Sequence, residues 1–68
     1  MKLEHLVERA SRKPFRPFTI NLNDGEAIPI DAPEAIYFPT RKPDLVITFA
    51  PNGAMHLFEH TVITSISE

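Results

Sequence analysis

The sequence predicts a small, mainly β protein in which an N-terminal α-helix precedes a strongly bent, five-stranded antiparallel barrel. Apolar residues recur at helical spacing near the N-terminus, whereas from residue 18 onward they alternate with polar residues. Short turn motifs rich in Asn, Asp, Gly and Pro separate the alternating segments. Because so short a sheet has to fold over a helix or close on itself to bury one face, we expect the strands to form a barrel.

The chain length predicts one domain with a small core. We expect a single domain over residues 1–68, since a chain of 68 residues is too short for two cores. The sequence has no cysteine, which excludes a disulfide and a thiolate zinc site. With a metal site still to be judged, self-association is the natural support for so small a core, so we expect a homo-oligomer.

The helix is predicted over residues 2–12. Its apolar residues follow the spacing of one helical face: Leu3, Leu6, Val7 and Ala10. Pro14 ends the helix, because proline lacks an amide hydrogen and restricts the residue before it to extended geometry.

Five strands are predicted, at about residues 18–23, 26–31, 44–50, 54–58 and 61–67. Asn23-Asp24-Gly25 joins the first two as a hairpin turn, with glycine supplying the positive φ, and Pro51-Asn52-Gly53 is predicted as a second hairpin turn. Pro29 places the second strand at an edge or bulge, because it has no hydrogen to donate to a ladder. A short apolar piece, residues 35–38, follows it. Alternation places one set of apolar residues on a single face of the third strand: Leu45, Ile47 and Phe49.

Residues 56–60, HLFEH, match the H-x-x-E-H zinc pattern of some metallopeptidases. That pattern works on a helix, where residues four apart lie about 6 Å from each other. The β-branched and alternating flanks predict a strand, in which the same spacing covers about 13 Å. We therefore expect no catalytic metal site, and leave open a zinc site shared between subunits. With no cysteine nucleophile, glycine-rich phosphate loop or G-x-S-x-G motif, we expect no enzyme activity and no cofactor.

The charge distribution is uneven. Residues 1–18 hold five of the seven Lys and Arg residues, whereas the rest of the chain is acidic and the net charge is −2. A basic arm on an acidic body suits contact with phosphate or an acidic partner, but such a charge run is more often a solvated helix end. No apolar run approaches the ~20 residues of a membrane helix and no secretion signal is visible, so we expect a cytoplasmic protein without membrane contact.

Residues 44–66, DLVITFAPNGAMHLFEHTVITSI, resemble the C-terminal half of bacterial Sm-like RNA chaperones of the Hfq type. In that family a strand leads through an Asn-containing turn to a strand that ends in aromatic-Lys-His, before a β-branched last strand. Here Phe58-Glu59-His60 occupies that turn, with Glu59 in place of lysine. The helix and residues 18–25 agree in outline. Separately, PFRPF (residues 14–18) followed by TINLNDG is similar to small bacterial proteins of unknown function, which implies no activity.

The resemblance implies an Sm-like (SH3-like) barrel that assembles into a ring, the fourth strand of one subunit pairing with the fifth of the next. Open strand edges favour such pairing on physical grounds as well. The edge residues expected to take part are Met55, His56, Leu57, Phe58, Val62, Ile63 and Thr64. The residues expected to contact RNA are His60, which matches the family's base-contacting histidine, the aromatic Tyr37, and the basic Arg16, Arg41 and Lys42.

Two functions remain open from the sequence. The first is a non-catalytic, self-assembling Sm-like domain that binds RNA. The alternative is a protein-interaction or scaffold module that has kept the fold and lost the RNA site. Glu59 favours the alternative because it repels phosphate. The alternative is also favoured by the aliphatic Leu45 or Val46, which stands where the family has a base-stacking aromatic.

Overall fold

One α-helix precedes six β-strands in the structure, a computed structural model that describes residues 1–68. The elements are α1 (Leu3–Ala10), β1 (Phe18–Leu22), β2 (Ala27–Ile30), β3 (Ile36–Tyr37), β4 (Leu45–Phe49), β5 (Met55–Glu59) and β6 (Ile63–Ser67). Two short 3₁₀ turns, Pro33–Ala35 and His60–Val62, precede β3 and β6. No helix in the structure is both long and apolar enough to span a membrane.

The strands form two three-stranded antiparallel sheets, ordered β2-β1-β6 and β3-β4-β5. The predicted mainly β class is confirmed, but the sheets do not close into the five-stranded barrel that the sequence predicts. The predicted second strand ends at Ile30, and Pro33 opens a 3₁₀ turn that interrupts the extended backbone. The chain then resumes as β3, at the edge of the other sheet. The apolar piece predicted over residues 35–38 thus contains a sixth strand.

Two boundaries differ from the sequence prediction by two residues, and the others differ by at most one. The helix ends at Ala10, where the backbone of Ser11 leaves helical geometry, instead of continuing to residue 12. The last strand begins at Ile63 instead of residue 61, because the Ile63 N–H donates to the His60 carbonyl and closes a 3₁₀ turn. Val62, predicted as a strand-edge residue, lies in that turn.

Both predicted hairpin turns are present. The Gly25 N–H donates to the Leu22 carbonyl at 3.0 Å, and the Gly53 N–H donates to the Ala50 carbonyl at 2.9 Å. Both glycines have positive φ, 90° and 89°, as such turns require.

The core lies between the two sheets and the helix. Eight buried apolar residues form it: Leu6, Phe18, Ile20, Ile28, Ile30, Ile36, Val46 and Ile63. Thr48, 1% exposed, is the one buried polar residue. Because Val46 and Thr48 point inward, the alternate residues of β4 point outward, including Ile47 and the exposed Phe49. Leu45, Ile47 and Phe49, which the sequence pattern places on one face of this strand, therefore lie on the face toward solvent.

Candidate interaction surface

The sheet β3-β4-β5 carries a set of side chains that point away from the core. Strand register defines three rows across it, because directly paired residues share a face. The central row is Tyr37–Ile47–Leu57, flanked by Leu45–Glu59 on one side and Phe49–Met55 on the other. We call these seven residues the outer face.

The outer face is apolar and open to solvent. Tyr37, Met55 and Leu57 are each 55% exposed, and Phe49 is 43% exposed. Only one other large apolar residue of the chain, Val7, is comparably exposed. Scattered apolar residues are normal on protein surfaces, but a contiguous group of them is typical of a contact site.

The pattern along β4 points to the same conclusion. Val46 is fully buried on the inner face, while Leu45 and Ile47 are apolar on the opposite face. A strand that is apolar on both faces is typical of a sheet covered on both sides. Within this chain only the inner side of the sheet is covered, so the outer face lacks a covering layer.

A pocket of about 240 Å³ lies at the Phe49 end of the outer face. Its lining is mostly apolar, with two carboxylates: Asp31, Ala32, Glu34, Ala35, Phe49, Ala50 and Pro51. We call it the acidic pocket. Neither carboxylate forms an ion pair within the chain. The pocket therefore combines apolar walls with unpaired negative charge.

A second pocket, of about 260 Å³, lies at the Leu45 end. It is lined by Arg41, Lys42, Pro43, Asp44, Leu45 and Glu59. Arg41 and Lys42, which we call the basic loop, are exposed and form no ion pair within the chain. Glu59 of the same lining also forms no ion pair, so the Leu45 end leaves two positive charges and one negative charge unpaired, against two negative charges at the Phe49 end.

His60 lies beside this second pocket, and each of its ring nitrogens has a polar neighbour. Its Nδ1 is 2.8 Å from the Met1 carbonyl oxygen, and because a carbonyl only accepts, Nδ1 is the donor. Its Nε2 is 3.3 Å from Oδ1 of Asp44. The side chain is only 19% exposed. This ring ties three segments of the chain together, which is a structural role.

The residues predicted to contact RNA do not form one site. Arg41 and Lys42 line the second pocket. His60 does not line it, but its ring lies 3.3 Å from Asp44, which does. Tyr37 lies instead in the central row of the outer face. Arg16 is exposed in the segment before β1, which belongs to the other sheet.

The predicted assembly edges lie on strands that have one unpaired side. β5 pairs only with β4, and β6 pairs only with β1. Met55 and Leu57 of β5 belong to the outer face, whereas His56 and Phe58 alternate to the opposite face. Ile63 is buried in the core and Thr64 is exposed. Pairing of a second chain at these edges stays a prediction.

The two histidines of HLFEH have different neighbours. His56 lies in β5, with Nδ1 3.6 Å from Oε1 of Glu26, whereas His60 lies in the following 3₁₀ turn beside Asp44. No three His, Asp or Glu side chains in the structure are grouped as metal ligands are.

The outer face was not identified as a site from the sequence. The available signal was the segment Leu45–Phe49, which has apolar residues on both faces of one short strand. Comparison of the chain with protein-family models, with curated proteins and with solved structures gives no match.

Proposed function

We propose that this chain is a non-catalytic protein-interaction domain that binds its partner through the outer face. The single observation that carries the proposal is the cluster of four exposed apolar side chains on one sheet: Tyr37, Phe49, Met55 and Leu57. Apolar rows flanked by charged pockets match the general pattern of an interface, an apolar centre with a polar rim. Tyr37 is of the residue type most often found as an anchor in such centres.

An Sm-like or SH3-like arrangement is part of the same proposal. β2 and β3 are consecutive in the chain and are edge strands of different sheets. Only residues 31–35 separate them, so the two sheets are connected through the short segment between β2 and β3. This connection supports a single bent sheet in which β2 and β3 together act as one interrupted strand.

The test compares two variants that add the same charge. Leu57→Lys places a cation at the centre of the outer face, whereas Ser11→Lys places one on the exposed helix end. After nuclease treatment of an extract, we expect protein partners to be retained by the wild-type chain and by Ser11→Lys, and lost with Leu57→Lys. Retention of the same partners by all three chains would contradict the proposal, provided that circular dichroism shows each chain folded.

RNA binding by a self-assembling form is the second candidate. It is favoured by the exposed, unpaired Arg41 and Lys42 beside the pocket that His60 adjoins. Asp44 and Glu59 line the same pocket and oppose phosphate, which is why we place this function second. Fluorescence anisotropy with short U-rich and A-rich RNA at two salt concentrations tests it, since phosphate contacts weaken steeply with salt. Absence of binding at low salt excludes this candidate.

A further inference from the structure

We infer that the partner of the outer face is a second copy of this chain, stacked face to face with a two-fold axis along the row Tyr37–Ile47–Leu57. The inference rests on the proposed function, because it takes the outer face as the binding surface. It names the occupant of that face and the orientation of the two copies.

The positions along β4 suit this axis. Leu45 and Phe49 lie two residues on either side of Ile47, about 7 Å away in each direction. Rotation about the central row therefore places Phe49 of one copy over Leu45 of the other, twice. The central row packs on its own copy, as residues on the axis of an isologous interface do.

The charged ends of the outer face become complementary in this orientation. The acidic pocket adjoins Phe49 and the basic loop adjoins Leu45. Both lie on the β3–β4 side of the sheet, because one borders β3 at its start and the other is in the β3–β4 connection. The same rotation thus brings the acidic pocket of each copy over the basic loop of the other.

The acidic pocket has the chemistry to receive the basic loop. Its apolar walls, which include Ala35, Phe49 and Pro51, suit the aliphatic stem of an arginine or lysine. Asp31 and Glu34 then meet the charged end of that side chain. All four charged residues lack ion-pair partners within the chain, so the contact breaks no existing pair.

The charge pattern selects this axis over the other face-to-face arrangement. An axis parallel to β4 would leave the Phe49 end of one copy over the Phe49 end of the other. Because both pockets lie on the β3–β4 side, that axis would carry each acidic pocket to the β5 side of the other copy, over Met55, where Asp31 and Glu34 meet no cation. Each basic loop would meet only Glu59, so the axis along the central row is the one that pairs all four charged residues. Glu59, on the edge strand β5, lies at the rim of the favoured arrangement and stays hydrated.

The size of the face sets the expected strength. The five-residue strands β4 and β5 and the two-residue β3, about 4.8 Å apart, give a face of at most about 10 Å by 16 Å. This is smaller than the roughly 800 Å² that each partner contributes to a standard interface. We therefore expect a weak dimer, with a Kd in the micromolar range or above, that weakens further as salt screens the paired ends.

Charge reversal tests the orientation. One variant carries Asp31→Lys and Glu34→Lys, and the other carries Arg41→Glu and Lys42→Glu. All four positions are exposed, so the chains are expected to fold. Each variant alone sets like charges against each other at both ends, so we expect its dimer to weaken at least about tenfold. In a 1:1 mixture a dimer of one copy of each variant has complementary charges at both ends. At one end the basic, substituted pocket faces the acidic, substituted loop, and at the other end a wild-type pocket faces a wild-type loop.

Sedimentation velocity over a range of concentrations gives the readout. We expect the wild-type chain to dimerise, Leu57→Lys to remain monomeric, and the mixture of charge variants to regain the wild-type dimer. A mixture that associates no better than its components overturns the orientation. If the wild-type chain stays monomeric, the inference that the partner is a second copy is overturned. It is also overturned if the chain forms a larger assembly that Leu57→Lys does not affect. The proposed function itself fails if Leu57→Lys changes neither self-association nor the set of proteins retained from the nuclease-treated extract.

Discussion

Asp44 and His60 are joined at two levels. The His60 N–H donates to the Asp44 carbonyl at 3.0 Å, and the His60 ring nitrogen Nε2 lies 3.3 Å from the Asp44 carboxylate. Asp44 precedes β4 and His60 follows β5, so the pair closes the open end of the β4–β5 hairpin. Since the same ring donates to the Met1 carbonyl, it also fixes the segment before α1 against this sheet.

Replacement of the histidine should cost more stability than replacement of its acidic neighbour. His60→Ala removes a half-buried hydrogen bond to Met1, and we expect the free energy of unfolding to fall by about 1–2 kcal/mol. Asp44→Ala removes only a carboxylate that is 75% exposed, so we expect a loss of less than about 0.5 kcal/mol. Urea denaturation measures both. Equal losses would show that the Met1 contact contributes nothing.

The buried hydroxyl of Thr48 offers a stabilising substitution. Its Oγ1 is buried without a hydrogen-bond partner. Valine has nearly the same shape and no hydroxyl to desolvate, so Thr48→Val should raise the free energy of unfolding by about 1 kcal/mol. Thr64→Val is the matched control, because the Thr64 hydroxyl donates to the Asn21 carbonyl at 3.1 Å and its removal should lower stability. A decrease in both variants would contradict the assignment of Thr48.

Local patterns predicted most of the fold. Alternation located the strands, and the two glycine turns located the hairpins at Gly25 and Gly53, because both signals depend on residues close in sequence. The 3₁₀ turn at His60–Val62 was missed, since β-branched residues there favour a strand locally. The apolar piece over residues 35–38 was located as a separate segment, but it was not identified as a strand of the other sheet, since a two-residue strand is too short to show alternation.

Long-range relationships could not be predicted in the same way. Both faces of β4 are apolar, so alternation alone does not decide whether Val46 or Ile47 faces the core; packing against α1 and the other sheet decides it. The pairing of Asp44 with His60 spans 16 residues and has no local signal. The outer face depends on the first of these relationships, which is why its residues were not grouped as a site from the sequence.

The second hairpin tests the need for glycine. Gly53 has a φ of +89°, and a Cβ added there would meet nothing within 4 Å. The cost of Gly53→Ala is therefore a backbone cost, which we expect to be about 1 kcal/mol in the free energy of unfolding. Gly53→Asn should cost less, because asparagine tolerates positive φ better than alanine does. An alanine variant as stable as the wild type would mean that the turn has another conformation.

Threonine substitutions at one buried and one exposed position test which face of the sheet β3-β4-β5 packs on the core. Val46 is fully buried, so Val46→Thr places a hydroxyl in the core and should lower the free energy of unfolding by about 1–3 kcal/mol. Leu57 is 55% exposed, and Leu57→Thr should change it by less than about 0.5 kcal/mol when measured on dilute, monomeric protein. At high protein concentration we expect Leu57→Thr to lower stability as well, because it removes apolar contact from the outer face and weakens association. Thermal unfolding at two protein concentrations separates these effects, and a Leu57 variant as unstable as the Val46 variant in dilute solution would place the core on the opposite side of the sheet.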